Sequence, residues 1–171
     1  PLRKERIGGQ LKSLGASSHS PNGDSMTIRE IAEKDRAEYL AMSAEFYSSP
    51  AVLHDIPAEF RKRAFEQFLE GGLAKCFIFE CGGAPAGYGV ICFYYSQEAG
   101  GRCVIFDEIF VKPEYRSQGF GRAFFDFVFK NYPAPRYLLE IEPENVRARS
   151  LYERLGFAPL GYIRMIKDNN K

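Results

Sequence analysis

Between Cys76 and Val111 the chain consists of three apolar runs, CFIFE, AGYGVICFYY and RCVIFDEIFV, separated by Gly82-Gly83 and by Glu98-Ala99-Gly100-Gly101. Apolar runs bounded by glycine-rich breaks are strands, and breaks this short join neighbours antiparallel. A three-stranded meander is therefore the frame onto which the remaining chain must pack.

Upstream, MTIREI alternates apolar and polar residues like a half-buried strand, and Glu33 to Tyr47 carries Tyr39, Leu40, Met42, Ser43 and Phe46 at helical spacing. After the Ser48-Ser49-Pro50 break and Pro57, the residues Phe60, Ala64, Phe65, Phe68 and Leu69 predict a second helix closed by Gly71-Gly72. Downstream, Gly119 to Asn131 is rich in phenylalanine. Its length and the Pro133 to Pro135 stop predict a helix lying under a sheet. RYLLEIE reads as a buried strand, Asn145 to Leu155 as a helix capped by Gly156, and the segments near 158–160 and 162–167 as two closing strands. The fold class is thus α/β of the α+β type, a mixed, mainly antiparallel sheet of about six to seven strands flanked by about four helices. Residues 1–25 are rich in Gly, Ser and basic side chains, with almost no apolar period. They read as a tail, disordered or added for expression, ahead of one domain over 26–171.

At 171 residues and 45% apolar composition the chain can bury one sizeable core. With 23 basic and 22 acidic residues it has no bulk charge to draw it onto nucleic acid or anionic membrane. No run approaches the roughly 20 apolar residues of a membrane span, and a secretory apolar core is absent from the N-terminus, so a soluble, cytoplasmic protein is expected. Cys76, Cys81, Cys92 and Cys103 lie in or beside apolar runs and read as reduced, buried thiols. His19 and His54 offer little from which to build a metal centre, and no metal is expected.

The residues richest in chemical meaning follow the third strand: a proline, Arg116, then Ser117, Gln118, Gly119, Phe120 and Gly121 at a helix start, with Arg122 just inside. The first turn of a helix exposes backbone N–H groups and the positive end of its dipole, and glycines let a diphosphate approach them without a Cβ in the way. A lone GxG is also compatible with a plain helix start. A Rossmann site competes, since Glu140 falls about 20 residues on, where a ribose-binding acid would lie. Against it stand Phe124 at the third glycine position, the long loop from Val111 to Gly119, and too little chain for a second half. No GK(S/T) follows, which excludes a P-loop.

Taken together, IFDEIFVKPEYRSQGFGRAF and LLEIEPENVRARSLYERLGF resemble the two signature regions of the GNAT superfamily of acetyl-CoA-dependent N-acetyltransferases, over Met26 to about Lys167. Both motifs stand in the family's order: an RxxGxG loop entering a helix, and a strand ending in ExExxN before a helix with a tyrosine and a terminal LGF. Ser117 departs from the glycine that the family often carries.

The resemblance implies acetyl-CoA as co-substrate and a sheet splayed at the centre, where Ile109, Phe110 and Val111 meet the pantetheine arm. It implies that Gln118 to Arg122 hold the pyrophosphate with Arg116 beside them. Asn145 resembles the cofactor-side asparagine, and Tyr152 the tyrosine that protonates the departing thiolate. It also implies a homodimer. Transfer to an amine that arrives protonated needs a base. Strand alternation is expected to point Asp107 and Glu108 to opposite faces. The resemblance favours Asp107 as the base, then Glu108, with Glu142 third, near the acceptor. The segment FYSSPAVLHDIP is expected to line the acceptor pocket through Tyr47 and His54, for a primary amine on a small molecule or peptide. Two other readings stay open, a sensor that binds acyl-CoA without turnover and a Rossmann-type oxidoreductase.

Overall fold

The computed structural model describes residues 16–19, 25–49, 52 and 55–169. They divide into two compact units, one ending at Glu140 and one beginning at Ile141.

The first unit is a six-stranded sheet in sequential order: β1 (Ala16–His19), β2 (Ser25–Glu30), β3 (Ala74–Cys81), β4 (Ala84–Ser96), β5 (Gly101–Val111) and β6 (Tyr137–Leu139). Every neighbouring pair through β5 is antiparallel, and β6 pairs parallel to β5. This order removes the Rossmann reading, which requires a doubly wound parallel sheet. The predicted meander is β3-β4-β5. Within the predicted tail, Ala16–His19 form a strand against β2, with Ala16 opposite Ile28 and His19 opposite Ser25. The sequence ASSH hides this strand because it has no apolar alternation. An edge strand can be held by backbone pairing alone.

Four helices accompany the sheet: α1 (Arg36–Tyr47), α2 (Ala58–Glu70), α3 (Phe120–Asn131) and α4 (Val146–Arg154). A 3₁₀ turn at Glu33–Asp35 precedes α1. It is anchored by Asp35, which takes two hydrogen bonds from Arg29 of β2, at 2.7 and 2.8 Å, and one from the Ala32 N–H.

α1 and α2 cover one face of the sheet, where Tyr39, Met42 and Phe65 pack with Cys76, Ile78, Tyr88, Val90 and Phe110. α3 covers the other. Its buried Phe120, Phe124, Phe125 and Phe127 meet Phe77, Phe79 and Phe106, and Val128 is buried as well. Phe124 needs room in β4 that only Gly89 leaves, since a Cβ there would stand 2.5 Å from the Phe124 ring.

β5 and β6 stay in register only across Val104–Phe106 and Tyr137–Leu139. β5 then continues for five more residues, so the sheet opens between its last two strands. The opening lies near one edge because the two closing strands expected after residue 157 do not form.

The second unit holds α4. Asn145 is its N-cap, accepting from the Ala148 N–H at 3.1 Å. Gly156, at φ 89°, ends it with paired bonds from Gly156 N to Glu153 O and from Phe157 N to Tyr152 O, each 3.0 Å. This is the predicted left-handed glycine cap. Residues 158–160 and 163–169 carry no regular structure, and Ile163 and Met165 are each 91% exposed. Their apolar content predicted strands, but an alternating run becomes a strand only beside a partner edge.

Candidate active site

β5 does not alternate simply. Val90 of β4 stands opposite Glu108, while the next residue, Ile91, stands opposite Phe106, leaving Asp107 as the extra residue of a β-bulge. A bulge turns two successive side chains towards one side, which corrects the expectation that Asp107 and Glu108 face opposite ways. Both lie on the α1/α2 face. Asp107 hydrogen-bonds with Cys92, which packs against that core, and its charge reaches both Tyr47 and Glu108.

Glu108 accepts two phenolic hydrogen bonds, from Tyr47 at 2.5 Å on Oε1 and from Tyr88 at 2.7 Å on Oε2. Burial pushes its carboxyl above the ordinary range. The two tyrosine bonds oppose this by favouring the anion, and the nearby charge of Asp107 adds to it. The same burial, with the charge of Glu108 beside them, holds the phenols of Tyr47 and Tyr88 firmly protonated. The Cys92 thiol is pushed up to about 12 by burial first, then by Asp107 and Glu108. It is therefore a packed thiol and not a nucleophile. Among the described residues the four cysteines are free, as predicted.

Tyr47 is the last residue of α1, half-buried, and its hydroxyl reaches Glu108 on β5. His54 lies outside the described residues. Tyr88 was not foreseen. It is fully buried, and its only trace in the sequence is the Gly87-Tyr88-Gly89 pattern, a large phenol between two residues without side chains.

Beyond the bulge, Ile109, Phe110 and Val111 run along the opened edge of β5. The loop that follows is tied back to it, with Arg116 Nε donating to Val111 O at 3.0 Å and Gln118 Nε2 donating to Glu114 O at 3.1 Å. Gly119 is left-handed at φ 94° with open space where a Cβ would stand. The first backbone bond of α3 runs from Ala123 N to Gly119 O at 2.9 Å, so the N–H groups of Phe120, Gly121 and Arg122 precede any intrahelical partner. These features suit a diphosphate. Arg122 itself pairs with Asp126 one turn on. Ser117 adopts φ 65°, the left-handed region, so the departure from glycine carries a backbone cost that the sequence did not reveal.

Residues 36–157 match the Acetyltransferase (GNAT) family. The chain belongs to that family. It is a GNAT N-acetyltransferase, with acetyl-CoA as the acetyl donor and an amine as the acceptor. It is similar to the thialysine N-epsilon-acetyltransferases of Mus musculus and Sus scrofa, each 29% identical over 143 residues that cover 77% of this chain and 84% of the relative. Among solved structures, the aminoglycoside N-acetyltransferase AAC(6')-Iy in complex with CoA superposes with a TM-score of 0.71 at 18% identity, covering 87% of this chain and 98% of that one. The ribosomal-protein-alanine N-acetyltransferase of Brucella melitensis superposes with a TM-score of 0.67 at 19% identity, covering 84% and 99%.

In the second unit of this GNAT enzyme, the Glu142 carbonyl accepts from the Asn145 N–H at 2.9 Å, and the Tyr152 ring meets Phe157 at 6.2 Å. Asn145 thus caps α4, a local duty additional to the cofactor-side role expected for it. Among the described residues no cluster of potential metal ligands occurs, and no helix is long and apolar enough to cross a membrane.

Proposed function

We propose that this N-acetyltransferase acts on the terminal primary amine of a small, singly charged acceptor, with Glu108 as the proton acceptor and Asp107 as the anchor for the incoming ammonium. The observation that carries the reading is the bulge at Asp107, which sets two carboxylates on one face beside the half-buried Tyr47. A pair of acids attracts a cation, and the more enclosed of the two, with the raised proton affinity, is the better acceptor of its proton. Beyond this pair the chain has no acidic surplus, with 23 basic and 22 acidic residues, and so no extended trap for a polycation. The thialysine specificity named for the Mus musculus relative supports an amine at the end of a short chain.

On the donor side, Ile109, Phe110 and Val111 would offer backbone groups to the pantetheine arm, and Arg116 with the N–H groups from Gln118 to Arg122 would bind the pyrophosphate. Backbone donors at the opened edge would stabilise charge on the thioester oxygen as the amine attacks. Tyr152 is proposed to return a proton to the departing thiolate.

Thiol release from acetyl-CoA, measured with thialysine, lysine, a polyamine, an aminoglycoside and a peptide amino terminus, tests the acceptor. The expected order places thialysine and lysine first. Preference for the polyamine or the aminoglycoside would overturn the singly charged acceptor.

A further inference from the structure

Glu108 is hydrogen-bonded at both carboxylate oxygens. One oxygen is taken by Tyr88 from the sheet, and the other by Tyr47, whose hydroxyl stands at the end of α1. Tyr47, half-buried, is the most exposed tyrosine of this row. Behind it the row continues into the core through Ser43 and Tyr39, one and two helical turns back, both fully buried beside Tyr88.

We infer that Tyr47 is a proton relay between the acceptor ammonium and Glu108, and that Tyr88 is the positioning residue that fixes the carboxylate for it. The inference rests on Glu108 being the base. In the step, an N–H bond of the ammonium breaks and its proton bonds to Tyr47 Oη, while the Tyr47 O–H bond breaks and its proton bonds to Glu108 Oε1. The electron pair stays on nitrogen, which becomes the neutral nucleophile. Tyr47 ends as it began, and Glu108 ends protonated.

Both transfers must occur together, because burial and the charge of Glu108 strongly disfavour a free phenolate at Tyr47. The groups facing Glu108 are Tyr39 and Tyr47 from α1, Cys76 from β3, Tyr88 and Cys92 from β4 and Asp107 from β5, with Arg61 of α2 reaching Tyr39. Tyr47 and Tyr88 are the two of these that donate hydrogen bonds to the carboxylate, and of the two only Tyr47 is half-exposed. Tyr47 thus combines contact with the acid and access to an acceptor.

The test compares wild type with Tyr47→Phe on the best alkyl primary amine of the panel, thialysine first, from pH 7 to 10. A relay matters while the amine is protonated and loses its importance once the amine is neutral, near the ordinary lysine value of about 10. Tyr47→Phe is therefore expected to lower kcat/KM about 100-fold at pH 7, the lower end of general-base effects, with the KM for acetyl-CoA unchanged. The defect should shrink to within about threefold at pH 10. A defect of constant size across that range would overturn the relay and leave Tyr47 a packing or binding group. Glu108→Gln, run in parallel, separates the two layers. If it is defective while the Tyr47→Phe ratio stays flat, the relay alone fails. If Glu108→Gln keeps wild-type kcat/KM at pH 7, the base assignment fails and the relay with it.

Discussion

One sheet carries two unlike faces. Under α3 it is packed with phenylalanine, with ring centroids of Phe124 at 5.8 Å from Phe77, 5.1 Å from Phe79 and 5.7 Å from Phe106. Under α1 and α2 it carries phenols, a thiol and carboxylates, with Tyr39 and Tyr88 edge to face at 5.3 Å and Glu108 bonded between Tyr47 and Tyr88. The difference teaches where each kind of cost is placed. Aromatic packing without hydrogen-bond demands holds the sheet from one side. The other face can then keep a partly desolvated carboxylate, whose enclosure is tolerated because both oxygens are hydrogen-bonded.

If that division holds, stability and chemistry respond to different substitutions. The largest effect on folding is expected at Phe124, fully buried and touched by three rings. Phe124→Ala should cost about 3–5 kcal/mol in chemical denaturation, while the pH dependence of kcat/KM in the folded fraction stays unchanged. A shifted acidic limb would show that the faces are coupled.

Glu108→Gln is the converse. It should lower kcat/KM about 100- to 1,000-fold, roughly 3–4 kcal/mol of transition-state stabilisation. Its stability should follow from linkage. The folded carboxyl holds its proton more tightly than the unfolded one, so its contribution to stability is full below the unfolded value and is lost as pH rises through the folded value. The amide has no such loss. Denaturation at pH 4 and pH 8 should therefore show the Gln variant gaining on wild type at the higher pH. An unchanged difference would mean that Glu108 is no more desolvated in the folded protein than in the unfolded chain.

Gly89 belongs to β4, whose side chains serve both faces, and tests the packing side more gently. Gly89→Ala places a methyl group 2.5 Å from the Phe124 ring, among side chains that cannot retreat. Overpacking of this kind typically costs about 1–3 kcal/mol. A loss below that range, in the same denaturation assay, would show that α3 can shift off the sheet.

The sequence exposed these faces unequally. The meander, the helix pair and α3 were legible because glycine breaks and apolar spacing are local signals. Phe124, Phe125 and Phe127 announced a covered face by their number. The glycine loop and the acidic pair were legible as a motif, but the bulge at Asp107 was not, since a bulge is a mismatch between two strands and no single strand encodes it. Tyr88 was missed for the same reason, because its partner lies 20 residues away on β5. The strand at Ala16–His19 escaped because backbone pairing leaves no apolar imprint. The closing strands were overcalled because apolar content marks what a segment could bury and gives no partner edge.

Ser117 lies in the loop that carries the chain from the chemical face at β5 to the packed face at α3. An L-residue in the left-handed region costs roughly 1–2 kcal/mol relative to its right-handed state, whereas glycine adopts that region freely. Glycine also has more freedom to lose on folding, which offsets roughly 0.5–1 kcal/mol of the relief. On this backbone balance Ser117→Gly should raise stability by up to about 1 kcal/mol, the smallest of these effects, read as a rise in thermal midpoint, from which the loss of the Ser117 side chain's own interaction subtracts. Because Gly119, Gly121 and Arg116 are untouched, the KM for acetyl-CoA should stay within about twofold, well under 1 kcal/mol of binding. A lower midpoint with a weaker KM would mean that the Ser117 side chain itself braces the loop, and that the conformation joining the two faces is held by that contact more than it is strained.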